Sequence, residues 1–173
     1  MKYFLLETDR GNKIPYSINS NRAIDIRDTN RNNAYKILNG CIVSMKVPTE
    51  VFFPPVLTEP LLLVEKNVAD IMIMYDSRTV FKTIYLLENE SGIYKTYFMP
   101  FVEELECLSD KTRRSRGGLA LMEIVLKREA IGSKAVFRIA GFTHNYLIGR
   151  LDFVESILRR GVNGIKLTEI EVI

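Results

Sequence analysis

Few side chains in this sequence could carry out covalent chemistry: there is one histidine, His144, and there are two cysteines, Cys41 and Cys107. A catalytic histidine needs a nucleophile or a carboxylate within about 3 Å. No local motif surrounds either cysteine, so neither has the environment that activates a thiol nucleophile. The sequence therefore predicts a loop histidine and two buried thiols that pack as small apolar side chains, and it predicts no catalytic residue.

Metal-binding and phosphate-binding motifs do not occur in the sequence. There is no Cys-x-x-Cys, no His-x-x-x-His and no acidic calcium loop. The Walker pattern and the dinucleotide fingerprint do not occur either, and Gly117-Gly118 alone does not indicate a phosphate site. We therefore predict neither a metal ion nor a cofactor.

Four cations lie close together in the segment Lys-Thr-Arg-Arg-Ser-Arg-Gly-Gly: Lys111, Arg113, Arg114 and Arg116. Such a cluster can bind phosphates or an acidic protein surface. The alternative is a hairpin tip where the charges are simply solvated. Because no aromatic residue is interleaved to stack on bases, nucleic acid is the less expected partner. These four residues are our predicted partner-binding residues.

An acidic cluster of Glu103, Glu104 and Glu106 follows Pro100. On a strand, Glu104 and Glu106 share one face and Glu103 lies on the other. A glycosidase would need two carboxylates at a set distance across a cleft, and nothing in the sequence fixes such a distance. We expect a solvated edge strand whose charges discourage aggregation.

The elements that position these side chains follow from apolar spacing. Two short amphipathic helices are predicted, at about 66–75 and 152–160, with Asp152 as N-cap of the second. Strands are predicted at 2–7, 41–47, 61–64, 80–87, 93–98, 102–108, 136–140 and 165–172, whereas 119–126 fits a strand or a short helix. The six asparagines between residues 8 and 33 predict loops. The predicted fold class is α+β, with a mostly antiparallel or mixed sheet.

The two predicted helices share an apolar pattern. Val68, Ile71 and Met72 match Val154, Ile157 and Leu158 at a constant offset. Internal duplication would explain the match, and so would the common way in which helices pack on sheets.

The length of 173 residues predicts a single domain, 1–173, that can bury roughly 70% of its unfolded surface. Four of the six prolines lie between residues 48 and 60, where they interrupt any continuous strand. This segment is a candidate boundary between a smaller N-terminal lobe, 1–55, and a main α+β part, 56–173.

Charge and cysteine content limit the possible compartments and partners. The net charge of +3 is mildly basic, well short of a nucleic-acid-binding module. Two distant cysteines fit a reducing compartment. The N-terminal apolar run is too short for a signal peptide, and no apolar run approaches the ~20 residues of a membrane span. We predict a cytoplasmic protein that does not interact with membranes.

A family resemblance rests on the order of elements and a few short phrases. These are Leu61–Met72, a hairpin that reaches Tyr94–Cys107, the segments Leu119–Leu126 and Ile131–Gly141, and the closing helix-glycine-strand Phe153–Ile173. Together, about residues 60–173 resemble the immunity-eleven family of bacterial polymorphic-toxin systems, formerly a domain of unknown function. Family members often have serine at the start of the two helices, whereas Glu65 and Arg150 lie near those positions here, and the first sixty residues have no match.

The resemblance implies that 119–126 is a strand and that the chain binds and neutralises a protein toxin made by the same cell. The family has no established catalytic residues, so none are carried over. The predicted function is therefore a non-enzymatic cytoplasmic binding protein. The alternatives are a hydrolase with an unrecognised active site and a nucleic-acid-binding accessory protein.

The sequence offers several candidate anchors for an interface besides the basic cluster: Tyr16, Tyr94, Tyr97 and Tyr146. An inhibitor of a basic nuclease is usually acidic, whereas this chain is slightly basic. Either the toxin is not strongly basic or local acidic patches matter more than net charge. The oligomeric state is left open.

Overall fold

Secondary structure forms largely where the apolar pattern predicts it, in a computed structural model that describes all 173 residues. The helices are α1 (Lys66–Tyr75), α2 (Arg128–Ile131) and α3 (Leu151–Arg159), with short 3-10 segments at Ile26–Asp28 and Arg31–Lys36. The strands are β1 (Tyr3–Thr8), β2 (Cys41–Ser44), β3 (Val56–Leu57), β4 (Leu63–Val64), β5 (Val80–Leu87), β6 (Tyr94–Phe101), β7 (Glu104–Leu105), β8 (Arg113–Arg114), β9 (Leu121–Glu123), β10 (Val125–Leu126), β11 (Val136–Ile139), β12 (Leu147–Arg150) and β13 (Ile165–Val172).

The strands form two mixed sheets and one separate hairpin. The six-stranded sheet has the order β10-β13-β1-β12-β11-β7, and the five-stranded sheet has the order β2-β5-β6-β4-β3. Strands β8 and β9 pair only with each other and form the β8–β9 hairpin. The fold is α+β with mixed sheets, as predicted.

Helices α1 and α3 pack together between the two sheets. One core cluster contains Val68 and Ile71 of α1, Phe153 and Ile157 of α3, and residues of the sheets, such as Leu6. Helix α3 can pack this closely on β12 because Gly149 has no side chain: a Cβ there would come within 2.8 Å of the Phe153 ring. This cluster is the central layer of the molecule.

Each sheet also buries its other face. Ile24 and Ile37 from the N-terminal loops cover the five-stranded sheet, where they pack with Val43 and Ile84. On the six-stranded sheet, Tyr3, Phe137 and Ile148 pack under Leu126 and Ile131. The order of layers is therefore loop cover, sheet, helix pair, sheet and second cover.

The two sheets are built on the same plan. In one, β4 and β5 flank the antiparallel strand β6, and α1 connects β4 to β5. In the other, β12 and β13 flank the antiparallel strand β1, and α3 connects β12 to β13. Each unit is a split β-α-β motif, and the two motifs meet through their helices.

The correspondence extends one strand further on each side. β2 runs parallel to β5 as β10 runs parallel to β13. β3 forms a hairpin with β4 as β11 does with β12. The strands follow one another along the chain in the same order in both units, with one exception. The central strand of the first unit, β6, comes last in that unit, whereas the central strand of the second unit, β1, is the first strand of the chain. The fold therefore contains two equivalent halves, and the N-terminal strand completes the second half.

Several boundaries differ from the predictions. Arg150, not Asp152, is the N-cap of α3, and the carboxylate of Asp152 instead accepts from the amide of Phe153 within the first turn. Leu158 is 50% exposed, so it does not belong to the buried face of α3. The segment 119–126 forms two short strands, β9 and β10, which join different sheets.

Two further differences concern short elements. The predicted strand 102–108 is ordered as a strand only at β7. Helix α2 was not predicted, because four residues are too few for a periodic pattern to appear. The division into an N-terminal lobe, 1–55, and a main part, 56–173, stays a prediction.

Candidate protein-binding surfaces

The four predicted partner-binding residues all lie on the β8–β9 hairpin or at its base. Lys111, Arg113, Arg114 and Arg116 are exposed. Arg113 has a carboxylate neighbour, Glu123, at 3.7 Å. The guanidinium of Arg114 lies 5.5 Å from the centre of the Phe142 ring, a cation–π contact.

The hairpin has an anchored base and a projecting tip. At the base, the Thr112 hydroxyl donates to the carbonyl of Val125 at 2.9 Å, and the Leu121 amide donates to the Tyr146 hydroxyl at 2.8 Å. At the tip, Gly117 and Gly118 have positive φ, and no other group lies within 4 Å of where their Cβ atoms would be. Leu119 and Met122 are also largely exposed on this hairpin, at 83% and 72%.

A second surface lies on the five-stranded sheet, on the face that carries α1. Helix α1 covers one end of this face, where Val64 and Phe98 join the central core cluster. The other end is uncovered and uncharged; its residues on strands β2, β5 and β6 are Ile42, Ser44, Thr83, Tyr85, Leu87, Tyr94 and Thr96. Ile42 is 55% exposed and Tyr94 65%. We call these seven residues the tyrosine face.

The equivalent positions in the other half of the fold carry charges. The same sequence offset that relates Val68 to Val154 also relates Phe81 of β5 to Leu167 of β13. Both of these residues pack against the central core cluster. Continuing along these strands, Tyr85 corresponds to Glu171 and Thr83 to Glu169. Glu169 pairs with Lys2 at 3.0 Å in an exposed ion pair. This end of the sheet face therefore carries charge in one half of the fold and none in the other.

The edge of the sheet beside the tyrosine face is closed by asparagine. The Asn21 side-chain oxygen accepts from the Ser44 amide at 3.1 Å, and its amide nitrogen donates to the Ile42 carbonyl at 3.3 Å. The Asn19 amide donates to the Ser44 carbonyl at 2.8 Å. These bonds occupy the outer edge of β2, so a partner strand has no free ladder there. The tyrosine face is open to docking on its surface but not at this edge.

His144 is not an isolated loop residue, because Nδ1 lies 2.5 Å from Oε1 of Glu59. Burial tends to raise the pKa of Glu59, but hydrogen bonds from His144 and from the Asn145 amide outweigh it, so this pKa is lower than usual. The Tyr146 ring lies against the imidazole with centres 4.3 Å apart. Sequence reasoning missed this pair, because its members are far apart in the chain and only tertiary packing joins them.

The two thiols lie in different parts of the fold. Cys107 is fully buried in the cluster over the six-stranded sheet, and burial raises its pKa to about 11. Cys41 is half-buried at the start of β2, and burial raises its pKa as well. Both sulfurs are therefore protonated at neutral pH, whereas nucleophilic cysteines act as thiolates.

Of the acidic cluster, only Glu104 lies on an edge strand, β7; Glu103 and Glu106 flank it, and two of the three glutamates are ion-paired. Glu104 on β7 pairs with the buried guanidinium of Arg138 at 2.9 Å. Glu103 contacts the ammonium of Lys134 and lies 3.7 Å from a guanidinium nitrogen of Arg31. The expectation of purely solvated charges was wrong for these two, because cations from β11, from the segment after α2 and from the N-terminal 3-10 segment lie beside them.

Two of the four tyrosines proposed as interface anchors are buried. Tyr97 is 0% exposed and its hydroxyl donates to the Pro54 carbonyl at 2.6 Å, and Tyr146 is 6% exposed. Neither can contact a partner in this conformation, because each packs in the core. Tyr94 and Tyr16 are exposed, at 65% and 54%.

No three metal-ligating side chains converge anywhere in the chain. None of its helices has the length and apolar character needed to cross a membrane. Comparison with models of known protein families and with curated proteins yields no match. The resemblance to the immunity-eleven family therefore stays a prediction.

Proposed function

We propose that this chain is a non-enzymatic cytoplasmic binding protein that neutralises a protein toxin by docking through the tyrosine face. The observation that carries the proposal is the uncharged, partly exposed end of the five-stranded sheet at Ile42, Tyr85 and Tyr94. Protein interfaces are enriched in tyrosine and depleted of charge at their centres. The face matches that composition.

The internal comparison strengthens this proposal. If folding alone required an uncharged surface there, the second half of the fold would need one too. Instead, Glu169 and Glu171 occupy the positions equivalent to Thr83 and Tyr85. An exposed apolar sheet surface favours aggregation, so its retention in one half indicates a partner that covers it.

The tyrosine face is well suited to specific binding. Its side chains stand on three hydrogen-bonded strands. The backbone at Gly40 lies close to the Tyr85 ring, since a Cβ on Gly40 would be 3.6 Å from a ring carbon. Tyrosine offers a large contact area and loses little conformational entropy on binding. A stable complex buries roughly 800 Å² on each partner, so the face would be the centre of a larger contact.

Co-expression with the protein encoded next to this chain tests the proposal. The wild type should restore growth and co-purify with that protein. The double variant Tyr85→Glu/Tyr94→Glu should lose at least tenfold in affinity, ~1.4 kcal/mol, because it puts charge at the interface centre. Tyr35→Glu is a control for the added charge, since Tyr35 is also an exposed tyrosine but lies outside the face.

Two results would contradict the proposal. Restored growth without any detectable complex would exclude simple masking of a toxin. A Tyr85→Glu/Tyr94→Glu variant that is folded and binds as tightly as the wild type would move the interface elsewhere, the β8–β9 hairpin being the next surface to test.

A hydrolase is the second candidate, and the Glu59–His144 pair is the observation that favours it. A carboxylate that orients an imidazole is part of many hydrolytic sites. A groove of about 390 Å³ adjoins the pair and is lined by Glu59, Arg10 and Ser17. Turnover of any substrate in a broad panel that is lost in both His144→Ala and Glu59→Gln would support this candidate. Loss of turnover in Cys41→Ala would instead point to the thiol.

A further inference from the structure

A free strand edge borders a groove beside the β8–β9 hairpin. β13 pairs with β1 along Ile165–Ile170, but its other edge meets β10 only at Glu171 and Val172. The groove along this edge has a volume of about 450 Å³, and β9 of the hairpin forms its opposite wall. Unpaired strand edges are ready to pair with another chain.

The groove has an apolar floor and an acidic rim. Leu5 and Ile170 contribute to the floor, and the rim carries Glu7, Glu123, Glu169 and Glu171 against the single cation Lys166. Three of the glutamates have intramolecular partners: Glu7 with Lys166, Glu169 with Lys2 and Glu123 with Arg113. The pairs of Glu169 and Glu123 are exposed and so contribute little stability, whereas Glu7 is half-buried in its pair. Glu171 has no cationic partner. The groove therefore fits a strand that carries positive charge.

The β8–β9 hairpin presents such a strand. β8 pairs only with β9, so its outer edge is free. Lys111, Arg113, Arg114 and Arg116 place cations on both faces of that edge. Leu119 adds an exposed apolar side chain at the tip. The hairpin is thus complementary to the groove in charge, in apolar character and in its unpaired edge.

We infer that this chain forms a symmetric homodimer in which the β8–β9 hairpin of each copy lies in the groove of the other. Hairpin and groove are neighbours on one molecule, so a two-fold axis beside them brings both pairs of surfaces together. The inference gives the four predicted partner-binding cations a partner, a second copy of this chain, and is independent of the toxin.

Charge reversal tests the dimer without any other protein. One variant, Lys111→Glu/Arg116→Glu, makes the hairpin acidic; the other, Glu169→Lys/Glu171→Lys, makes the groove basic. All four positions are exposed, so both variants should still fold and unfold cooperatively, and any loss of stability should be no larger than the loss of dimerisation explains. Light scattering across a dilution series measures the mass.

The wild type should reach twice the monomer mass of 19.9 kDa and dissociate as salt is raised. Each variant alone should dimerise at least tenfold more weakly, because like charges then face each other. An equimolar mixture of the two variants should recover the dimer, since an acidic hairpin then meets a basic groove and a basic hairpin meets an acidic groove. Recovery that stops at twice the monomer mass is the result expected of a closed two-fold exchange, whereas a head-to-tail contact would continue to larger assemblies.

Three outcomes would overturn the inference. The wild type could remain at 19.9 kDa at every concentration. It could dimerise with an affinity that neither charge reversal changes. It could also stay monomeric while the hairpin binds a short DNA duplex in a way that Lys111→Glu/Arg116→Glu abolishes, which would assign the cations to phosphate.

Discussion

Asp76 shows how single residues join distant parts of this chain. Its carboxylate is 14% exposed and accepts from a guanidinium nitrogen of Arg31 at 3.0 Å and from the Arg78 amide at 3.1 Å. Arg31 also donates through Nε to the Phe101 carbonyl at 2.8 Å. One carboxylate at the end of α1 therefore holds an N-terminal 3-10 segment against the end of β6.

Asp76→Asn should destabilise the protein in a pH-dependent way. Burial tends to raise the pKa of Asp76, but the Arg78 amide and the Arg31 guanidinium outweigh it and lower this pKa. A carboxyl group whose pKa is lower in the folded chain stabilises the fold at pH values above its pKa in the unfolded chain, which is about 3.9. This stabilisation is lost as the pH falls through the pKa of the group in the folded chain. We expect a cost of about 1–3 kcal/mol at neutral pH that shrinks toward about pH 3.

Urea unfolding at both pH values measures this effect. Asp70→Asn is the control, because the carboxylate of Asp70 is 54% exposed and pairs only with Lys66 on the same helix. It should change the free energy of unfolding by less than about 0.5 kcal/mol at either pH. An Asp76→Asn deficit that stayed constant with pH would show that ionisation is not its cause.

The candidate sites also differ in how far residue patterns predicted them. The basic hairpin is continuous in sequence, so its four cations could be found by inspection. The Glu59–His144 pair could not, because neither residue has a neighbouring signature. The residues of the tyrosine face belong to three different strands, so no continuous sequence pattern marks them. Ile42 and Tyr85 are exposed because α1 covers only the other end of the sheet face.

At the scale of elements, the two halves explain why the helices share an apolar pattern. Each helix connects two strands that flank a third, and each therefore presents Val68 or Val154 to the same kind of sheet surface. The order of strands, their directions and the helix are the same in both halves. Internal duplication and the common way in which helices pack on split β-α-β sheets both fit this shared order.

A circular permutant tests this equivalence. β1 and β13 are antiparallel, with Tyr3 opposite Ile170, so the two chain ends are neighbours. In this permutant, a copy of the β5–β6 connection, 88–93, joins Ile173 to Met1, and the chain is opened after Thr8. Strand β1 then follows β13 in the chain as β6 follows β5. We expect a cooperative fold with a melting temperature within a few degrees of the wild type, measured by circular dichroism.

The control is a permutant with the same linker that is opened within β6, after Tyr97. This cut divides the central strand of the first half and should prevent folding, because the ladders on both sides of β6 lose continuity. If the permutant opened after Thr8 also failed to fold, the two halves would not be interchangeable units in this sense.

At the scale of the whole molecule, the N-terminal residues contribute to both sheets. β1 lies between β12 and β13 near the middle of the six-stranded sheet. Ile24, Ile37 and Val43 belong to the core cluster of the five-stranded sheet. The segment with four prolines connects parts of the chain that share these clusters.

The fragment 56–173 should therefore not fold alone. Without residues 1–55 it loses the central strand of one sheet and the cover of the other, and each buried aliphatic side chain left exposed costs about 1.5–3 kcal/mol. We expect no cooperative thermal transition by calorimetry, and recovery of one when the separate segment 1–55 is added. A cooperative transition of 56–173 by itself would support the division into an N-terminal lobe and a main part.

By itself, the sequence determined the local structure. The spacing of Val68, Ile71 and Met72 set α1, and alternation along 80–101 set the β5–β6 hairpin, because these patterns reflect the periods of the helix and the strand. Only the tertiary structure decided that β1 lies between β12 and β13, that Glu59 meets His144, and that one sheet end stays uncovered and uncharged. Those outcomes depend on contacts between residues far apart in the chain, whose pairing has no local period.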